Sequence, residues 1–192
     1  MSAADAKRRL RAELLGRRRA LTPDVLAVAA ARLGGHLLAG LDERAVSSVA
    51  AYLPVGSEPG GPDLAAALDA VGLVVLLPVL RPDHDLDWAR YTGPDALITG
   101  SHGIGEPTGE RLGVEAVGHV DVVVVPALAV DRTGVRLGRG GGCYDRVLAR
   151  LPAGMPVVAL LHDGELVERL PAEPHDRSVG WVITPAAGWL RL

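Results

Sequence analysis

The stretch of sequence that decides the fold is "DVVVVPALAVDRTGVRLGRGGGCYDRVLAR", residues 121–150. It opens with an apolar, valine-rich run at 121–128, the pattern of a strand that is buried on both faces of a sheet. A glycine-rich segment follows, and the next residues predict a helix over about 142–150. A buried strand that passes through glycines into a helix is typical of an α/β domain.

Outside this stretch, apolar runs again alternate with helical segments. Helices are predicted at 5–20, at 23–39 with Thr22 as the N-cap and Pro23 in the first turn, and from Pro62. Further strands are predicted at 45–52, 73–78, 156–161 and 179–184, and the more alternating run 86–91 is expected nearer an edge of the sheet.

These elements predict one domain over residues 1–192. Its expected architecture is α/β: a Rossmann-like, three-layer fold with a mainly parallel sheet and helices on both faces. Ligands of such sheets collect beyond the C-terminal ends of the strands, where the segments 53–61, 129–142 and 162–177 are expected.

The composition is that of a globular protein. The 192 residues are 48% hydrophobic with a formal net charge of −3, which gives no case for a nucleic-acid partner of the whole molecule. The single cysteine, Cys143, excludes an intramolecular disulfide and fits a reducing compartment. The longest apolar run, 122–130, is too short to span a membrane. We therefore expect a cytoplasmic protein with no membrane partner.

The glycine-rich segment 138–142 is suited to anion binding. Without β-carbons, its backbone can adopt positive φ and let a ligand approach the N–H groups. The helix that follows presents unpaired N–H donors, and Arg136 and Arg139 add cationic groups that suit phosphate oxygens. The segment lacks the G-K-[ST] ending of a P-loop, and Cys143 stands where a dinucleotide fingerprint starting at Gly138 needs glycine. The sequence favours a phosphate cradle over the alternative, a mobile loop with helix-capping glycines.

The basic N-terminal helix leaves alternatives open. At helical spacing Lys7, Arg11 and Arg18 lie on one shoulder of an apolar stripe formed by leucines, whereas Arg8 points elsewhere. This helix is either a solvated basic face or a nucleic-acid arm, although no aromatic residues interleave to stack on bases.

Two acidic positions are also ambiguous from the residues alone. Asp145, in the first turn of its predicted helix, either stabilises the helix dipole or binds Mg²⁺, and its spacing favours the dipole. The His-Asp pair at 175–176 is more often surface structure than a metal site or a catalytic dyad.

The stretch 121–150 resembles the signature region of the 5-formyltetrahydrofolate cyclo-ligase family, also called methenyltetrahydrofolate synthetases. That signature is an apolar strand with proline, an aspartate, and then R-L-G-[YR]-G-x-G-Y-Y-D. The resemblance covers nearly the whole chain. Weaker matches occur in the family's order: the basic helix with Lys7 and Arg11, "YLPVGSEPG" (52–60), "GIGEP" (103–107) and "LPAEPHDRSV" (170–179).

The resemblance implies an ATP- and Mg²⁺-dependent enzyme. Such an enzyme converts 5-formyltetrahydrofolate to 5,10-methenyltetrahydrofolate through a phosphorylated formyl intermediate and releases ADP and phosphate. A monomer with 5-formyltetrahydrofolate and ATP as its partners is expected.

The resemblance also implies roles for individual residues. ATP is expected to contact Lys7, Arg11, Arg136, Leu137, Gly138, Arg139, Gly140, Gly141, Gly142, Cys143 and Tyr144. The folate is expected to contact Leu53, Glu58, Arg139, Gly140, Gly141, Gly142 and Cys143, with Glu58 accepting hydrogen bonds from the pterin N–H groups. Asp145 and Asp176 are implied as Mg²⁺ ligands. Glu106 matches a further glutamate of the family, and its role is left open.

The chain departs from the family pattern at a few positions. Cys143 replaces the first tyrosine of Tyr-Tyr-Asp, Gly180 and Trp181 follow "HDRSV" where an aspartate is usual, and Pro185 stands where an acidic residue is common. A nucleophilic Cys143 with a lowered pKa at a helix N-terminus is a rival hypothesis, although phosphoryl transfer has no step for a thiolate.

Three rival functions therefore stay open. They are a paralogue that uses ATP on another small substrate, a non-catalytic nucleotide- or anion-binding module, and a nucleic-acid-associated protein that acts through the basic helix.

Overall fold

The computed structural model describes residues 2–100, 103–173 and 176–192. Its helices are α1 (Ala3–Arg19), α2 (Pro23–Asp42), α3 (Leu64–Ala70) and α4 (Cys143–Arg150), with short 3₁₀ helices at Pro94–Ala96 and Val114–His119. Its strands are β1 (Ser48–Ala50), β2 (Val74–Leu80), β3 (Leu86–Arg90), β4 (Leu97–Thr99), β5 (Gly105–Pro107), β6 (Val122–Pro126), β7 (Ala129–Asp131), β8 (Arg136–Leu137), β9 (Val157–Leu160), β10 (Leu166–Val167), β11 (Trp181–Thr184) and β12 (Gly188–Arg191).

The main sheet has seven strands in the order β12-β11-β9-β6-β1-β2-β3. The strands from β11 to β2 run parallel to one another, and β12 and β3 join them as antiparallel edges. The predicted mainly parallel sheet is confirmed, as is the edge position of the 86–91 run.

The valine-rich run explains why this sheet has two covered faces. Along β6, Val122 and Val124 face one core cluster, and Val123 and Val125 face the other. Leucines of α2 and α3 fill the first cluster, and α4 with the 3₁₀ turn Val114–His119 closes the second. A strand that is buried on both faces has a continuous apolar sequence, as this one does. The predicted three layers are therefore present in the structure.

Helix α2 meets the length and composition criterion for a membrane-spanning helix, as no other helix in the described ranges does. Its Leu33, Leu37 and Leu41 are fully buried against the sheet. At Gly40 a β-carbon would collide with the indole of Trp189. These contacts make α2 a core helix of the domain.

Two small sheets were not predicted. Strands β10, β7 and β8 form a three-stranded sheet, and β4 pairs with β5. Helix α1 packs on the first of these rather than on the main sheet, through Leu14 against Leu128, Leu137 and Leu170. The small sheet therefore fixes the basic helix beside the glycine-rich segment.

Candidate active site

A cleft of about 870 Å³ opens at the C-terminal ends of β1, β2 and β6. Three loop segments expected at this edge contribute to its walls, together with α1 and the first turns of α4. Every residue to which the sequence analysis gave a ligand role lines the cleft: Lys7, Arg11, Leu53, Glu58, Arg136, Leu137, Gly138, Arg139, Gly140, Gly141, Gly142, Cys143, Tyr144, Asp145 and Asp176. Glu106 lines it as well. The structure brings these side chains together, and their individual ligand roles stay predictions.

The segment 138–142 connects β8 to α4 and forms one wall. Gly140 and Gly142 have φ of 106° and 71°, which L-amino acids with side chains rarely adopt, so glycine is needed at both positions. Gly142 is the residue that precedes α4, and the first turn of the helix therefore opens into the cleft. Arg11 docks α1 onto this segment, because its Nε donates to the Gly138 carbonyl at 2.9 Å. The segment has the form of an anion cradle with an arginine beside it.

Arg136 and Asp145 form an ion pair at the floor of the cleft. Nη2 of Arg136 donates to Oδ1 of Asp145 at 2.8 Å, and Nη1 donates to the Pro126 carbonyl at 3.2 Å. Asp145 lies in the first turn of α4, as predicted.

Two buried polar atoms at this floor have no hydrogen-bond partner within the described part of the chain: Arg136 Nε and the Tyr144 hydroxyl. Burial, reinforced by the negative charge of Glu58, raises the pKa of Tyr144, so the hydroxyl keeps its proton. Unpaired buried polar groups are rare in folded proteins, so the two atoms mark this floor as a candidate site for a polar ligand.

The Lys7 side chain lies between two carboxylates in the same cleft. Its ammonium is 2.7 Å from Glu173 Oε2 and 2.7 Å from Asp176 Oδ2, and the residue is buried. Burial alone lowers the pKa of Lys7, but the hydrogen bonds and charges of Asp176 and Glu173 outweigh it and leave the pKa raised. Glu173 had not been predicted. His175, the partner of Asp176 in the sequence motif, lies outside the described residues.

Glu58 is held by two donors. Arg139 Nε lies 2.9 Å from its Oε1, and the backbone N–H of Val55 donates to its Oε2 at 2.9 Å. Across the cleft Glu106, on β5, is buried and accepts a hydrogen bond from the Leu80 N–H at 3.2 Å.

Cys143 does not have the environment of an activated thiol. Burial raises its pKa and outweighs the opposing effect of the Arg146 charge. The hypothesis that the helix N-terminus and neighbouring arginines lower this pKa is therefore wrong, because desolvation is the larger effect.

The cleft can accommodate Mg²⁺ bound with a phosphate. Asp145 and Asp176, the two predicted Mg²⁺ ligands, line it together with Glu58, Glu106 and Glu173, although no group of three metal-binding side chains occurs in the residues the structure describes. Protein-bound Mg²⁺ commonly has one or two carboxylates and takes its remaining oxygens from phosphate and water. The donor set therefore fits a nucleotide-bound ion better than a permanent all-protein site.

A family model described as "5-formyltetrahydrofolate cyclo-ligase family" matches residues 3–185. The chain belongs to this family.

The chain is similar in sequence to curated cyclo-ligases over nearly its full length. The 5-formyltetrahydrofolate cyclo-ligase of Mycolicibacterium smegmatis is 43% identical over 97% of both chains. The cyclo-ligase of Escherichia coli is 32% identical and covers 90% of this chain and 97% of its own.

Solved structures agree with the cyclo-ligase fold. The NMR structure of Aquifex aeolicus 5,10-methenyltetrahydrofolate synthetase has a TM-score of 0.77 at 30% identity and covers 97% of this chain and 92% of its own. A Mycoplasma pneumoniae 5,10-methenyltetrahydrofolate synthetase shares the fold, with a TM-score of 0.72 at 18% identity and coverage of 92% and 96%.

Proposed function

We propose that the protein is a 5-formyltetrahydrofolate cyclo-ligase that uses ATP and Mg²⁺ to form 5,10-methenyltetrahydrofolate. The observation that carries the proposal is the gathering of the signature residues of the family in one cleft, in a chain 43% identical to a curated cyclo-ligase over nearly its whole length. The proposal includes the monomer that the resemblance implies. The single cysteine supports a reducing compartment such as the cytoplasm.

The chemistry accounts for the residue types. An amide oxygen is a poor leaving group, so the formyl oxygen of the substrate attacks the γ-phosphorus of ATP and ADP leaves. N10 of the folate then attacks the formyl carbon and loses its proton, and the phosphorylated oxygen departs as phosphate. Both steps depend on orientation and charge neutralisation rather than on a protein nucleophile. The raised pKa of Cys143 is consistent with this scheme.

On the nucleotide side, the glycine-rich segment and the first turn of α4 offer backbone N–H groups to phosphate oxygens. Lys7, Arg11 and Arg136 supply positive charge around them. Lys7 and Arg136 are already paired with carboxylates, so phosphate binding exchanges one anionic partner for another. Their charges are thus held in place before ATP arrives.

Asp145 and Asp176 would hold Mg²⁺, which when bound would neutralise charge on the phosphates during transfer. These are the carboxylates that phosphate would release from Arg136 and Lys7.

On the folate side, Glu58 and Leu53 would bind the pterin ring. Glu58 is held in position by the Val55 N–H, and Arg139 connects it to the glycine-rich segment. A carboxylate fixed in this way can accept hydrogen bonds from ring N–H groups.

The test is turnover with defined omissions. With ATP, Mg²⁺ and 5-formyltetrahydrofolate together, we expect the near-ultraviolet absorbance of the methenyl product to rise, with one ADP and one phosphate released per product. No absorbance should form when any component is left out. Rapid ATP and folate binding without product would favour the binding module, and product formation only from a different substrate would favour the paralogue.

The ion pairs of α1 argue against the nucleic-acid alternative. Lys7 and Arg18 are buried in ion pairs, and Arg17 pairs with Glu13 on the surface. The helix therefore presents a weaker basic surface than its sequence indicates. Binding to a phosphate backbone would weaken steeply as salt rises, and we expect no such binding.

A further inference from the structure

A chain of buried polar contacts connects the two sides of the cleft. It starts at Arg18, on the same helix as Lys7 and Arg11. Arg18 Nε and Nη2 donate to Glu165 Oε1 and Oε2, both at 2.7 Å, and Nη2 also donates to the Ala127 carbonyl at 2.6 Å. The side chains of Arg18 and Glu165 are only 2% and 8% exposed. Such a bidentate, buried pair has a fixed geometry.

The chain continues from Glu165 to the loop that carries Glu58. Glu165 Oε2 accepts a hydrogen bond from the backbone N–H of His162 at 2.8 Å. The Nε2 of His162 then lies 3.0 Å from the Ser57 carbonyl. A carbonyl can only accept, so this nitrogen carries the proton. Ser57 directly precedes Glu58 in the sequence.

A buried ion pair by itself is weak support for a functional role, because it can be neutral for stability. What distinguishes this one is the position of its two ends. Arg18 belongs to the helix proposed to bind phosphates, and Ser57 to the loop proposed to bind the pterin. These elements are distant in the sequence, and Glu165 and His162 lie between them outside the cleft lining.

We propose that Glu165 and His162 are positioning residues that clamp α1 to the loop 53–61. The clamp sets the separation between the nucleotide-side cations and Glu58, and hence between the γ-phosphorus and the formyl oxygen. The identity of the two ligands rests on the proposed function, but the clamp itself does not.

Two substitutions of His162 test the clamp, because one removes the hydrogen bond to Ser57 and the other can keep it. His162→Leu removes the donor to Ser57 at similar volume, whereas the side-chain amide of His162→Gln can still reach the carbonyl. We expect His162→Leu to raise the KM for 5-formyltetrahydrofolate roughly two- to tenfold, as for a lost neutral hydrogen bond, with the KM for ATP unchanged. His162→Gln should stay within about twofold of the parent.

Amide hydrogen exchange of the ligand-free protein tests the clamp independently of any substrate. The Val55 and Glu58 amides, both hydrogen-bonded within the loop, should exchange faster in His162→Leu and at the parent rate in His162→Gln. Asp121→Asn is the stability control. Asp121 holds Ser47 and Ser48 near the opposite, N-terminal ends of β1 and β6, so its loss should leave loop exchange and both KM values unaltered.

Glu165→Gln should disturb both ends of the clamp, raising both KM values, because Arg18 loses its charged partner. If this variant fails to fold, the His162 pair still decides the question. Loop exchange unchanged in His162→Leu, or equal in the Leu and Gln variants, overturns the clamp. Faster loop exchange in His162→Leu, together with a parent protein that makes no methenyl product, would instead leave the clamp standing and refute the proposed function.

Discussion

Replacing Arg11 tests whether α1 makes a specific contact with phosphate or only presents a general basic surface. Its Nε donates to the Gly138 carbonyl at 2.9 Å, and its guanidinium lies over Gly140. Replacing Arg11 with alanine removes a charged hydrogen bond that holds the cradle, together with a cation beside the proposed phosphates. A charged hydrogen bond contributes about 1.5–3 kcal/mol, so the KM for ATP should rise about 10- to 150-fold.

Arg8, on the same helix, is the matched control. Its side chain is 74% exposed and, among the residues the structure describes, pairs with Asp5 three residues earlier, a surface contact of the kind that contributes little. Arg8→Ala should therefore change the KM for ATP less than about twofold.

The assay is steady-state formation of the methenyl absorbance with ATP varied at saturating folate. Arg11→Lys adds a second comparison, because lysine keeps the charge but lacks the planar fork that reaches both the carbonyl and a ligand. We expect lysine to recover only part of the loss. Equal effects of the Arg11 and Arg8 replacements would refute a specific contact and favour a diffuse electrostatic role.

Four further predictions concern single side chains, three in the cleft and one at the opposite end of the strands. Glu58→Gln should raise the KM for the folate about tenfold or more and leave that for ATP unchanged; a shift in the ATP value alone would contradict the pterin role. Asp145→Asn should lower kcat and raise the Mg²⁺ concentration needed for half-maximal rate, and parent kinetics across a Mg²⁺ titration would remove Asp145 from the metal site. Cys143→Ser should keep most of the activity, whereas complete loss with an intact circular dichroism spectrum would refute a mechanism without a thiolate. Hydrogen bonds from Ser47 and Ser48 lower the pKa of Asp121 from 3.8 to about 2. The ionised Asp121 carboxylate should therefore add to the free energy of unfolding, by about 1 kcal/mol at most because the group is exposed. This contribution should be complete above pH 3.8 and be lost as pH falls through 2. Urea unfolding of the parent and Asp121→Asn across that range measures it, and a constant difference would contradict the assignment.

The parts of the fold that were predictable depend on local patterns. The valine-rich run of β6 has one stable environment, a strand covered on both faces, and it was found within two residues of its ends. Thr22 accepts a hydrogen bond from the Val25 N–H and starts α2 where the sequence indicated. The glycine-rich segment 138–142 was predicted to allow positive φ, and Gly140 and Gly142 adopt it. Each of these features is decided by a few neighbouring residues.

The missed elements depend on partners far away in the sequence. Strands β8 and β10 have two residues each, too few to show a periodicity, and they exist because β7 lies between them. Without that small sheet, the sequence could place Arg18 on the shoulder of a helix but could not supply its partner Glu165, which is 147 residues away. The clamp could be seen only once the chain was folded.

The same limit applies to the charges of the cleft. From the sequence, each acidic and each basic side chain was predicted to contact a ligand by itself. In the structure these side chains form ion pairs with one another: Asp145 with Arg136, Asp176 with Lys7, and Glu58 with Arg139. A substitution at any of these positions therefore has two effects: it removes a contact to the ligand, and it also removes one ion pair of the ligand-free protein. ATP affinity alone cannot separate these effects, since releasing Arg136 from Asp145 can strengthen its contact with phosphate while the metal contact is lost. The dependence of the rate on Mg²⁺ concentration at saturating ATP can separate them, because loss of a metal ligand raises the Mg²⁺ requirement even when nucleotide binding is saturated.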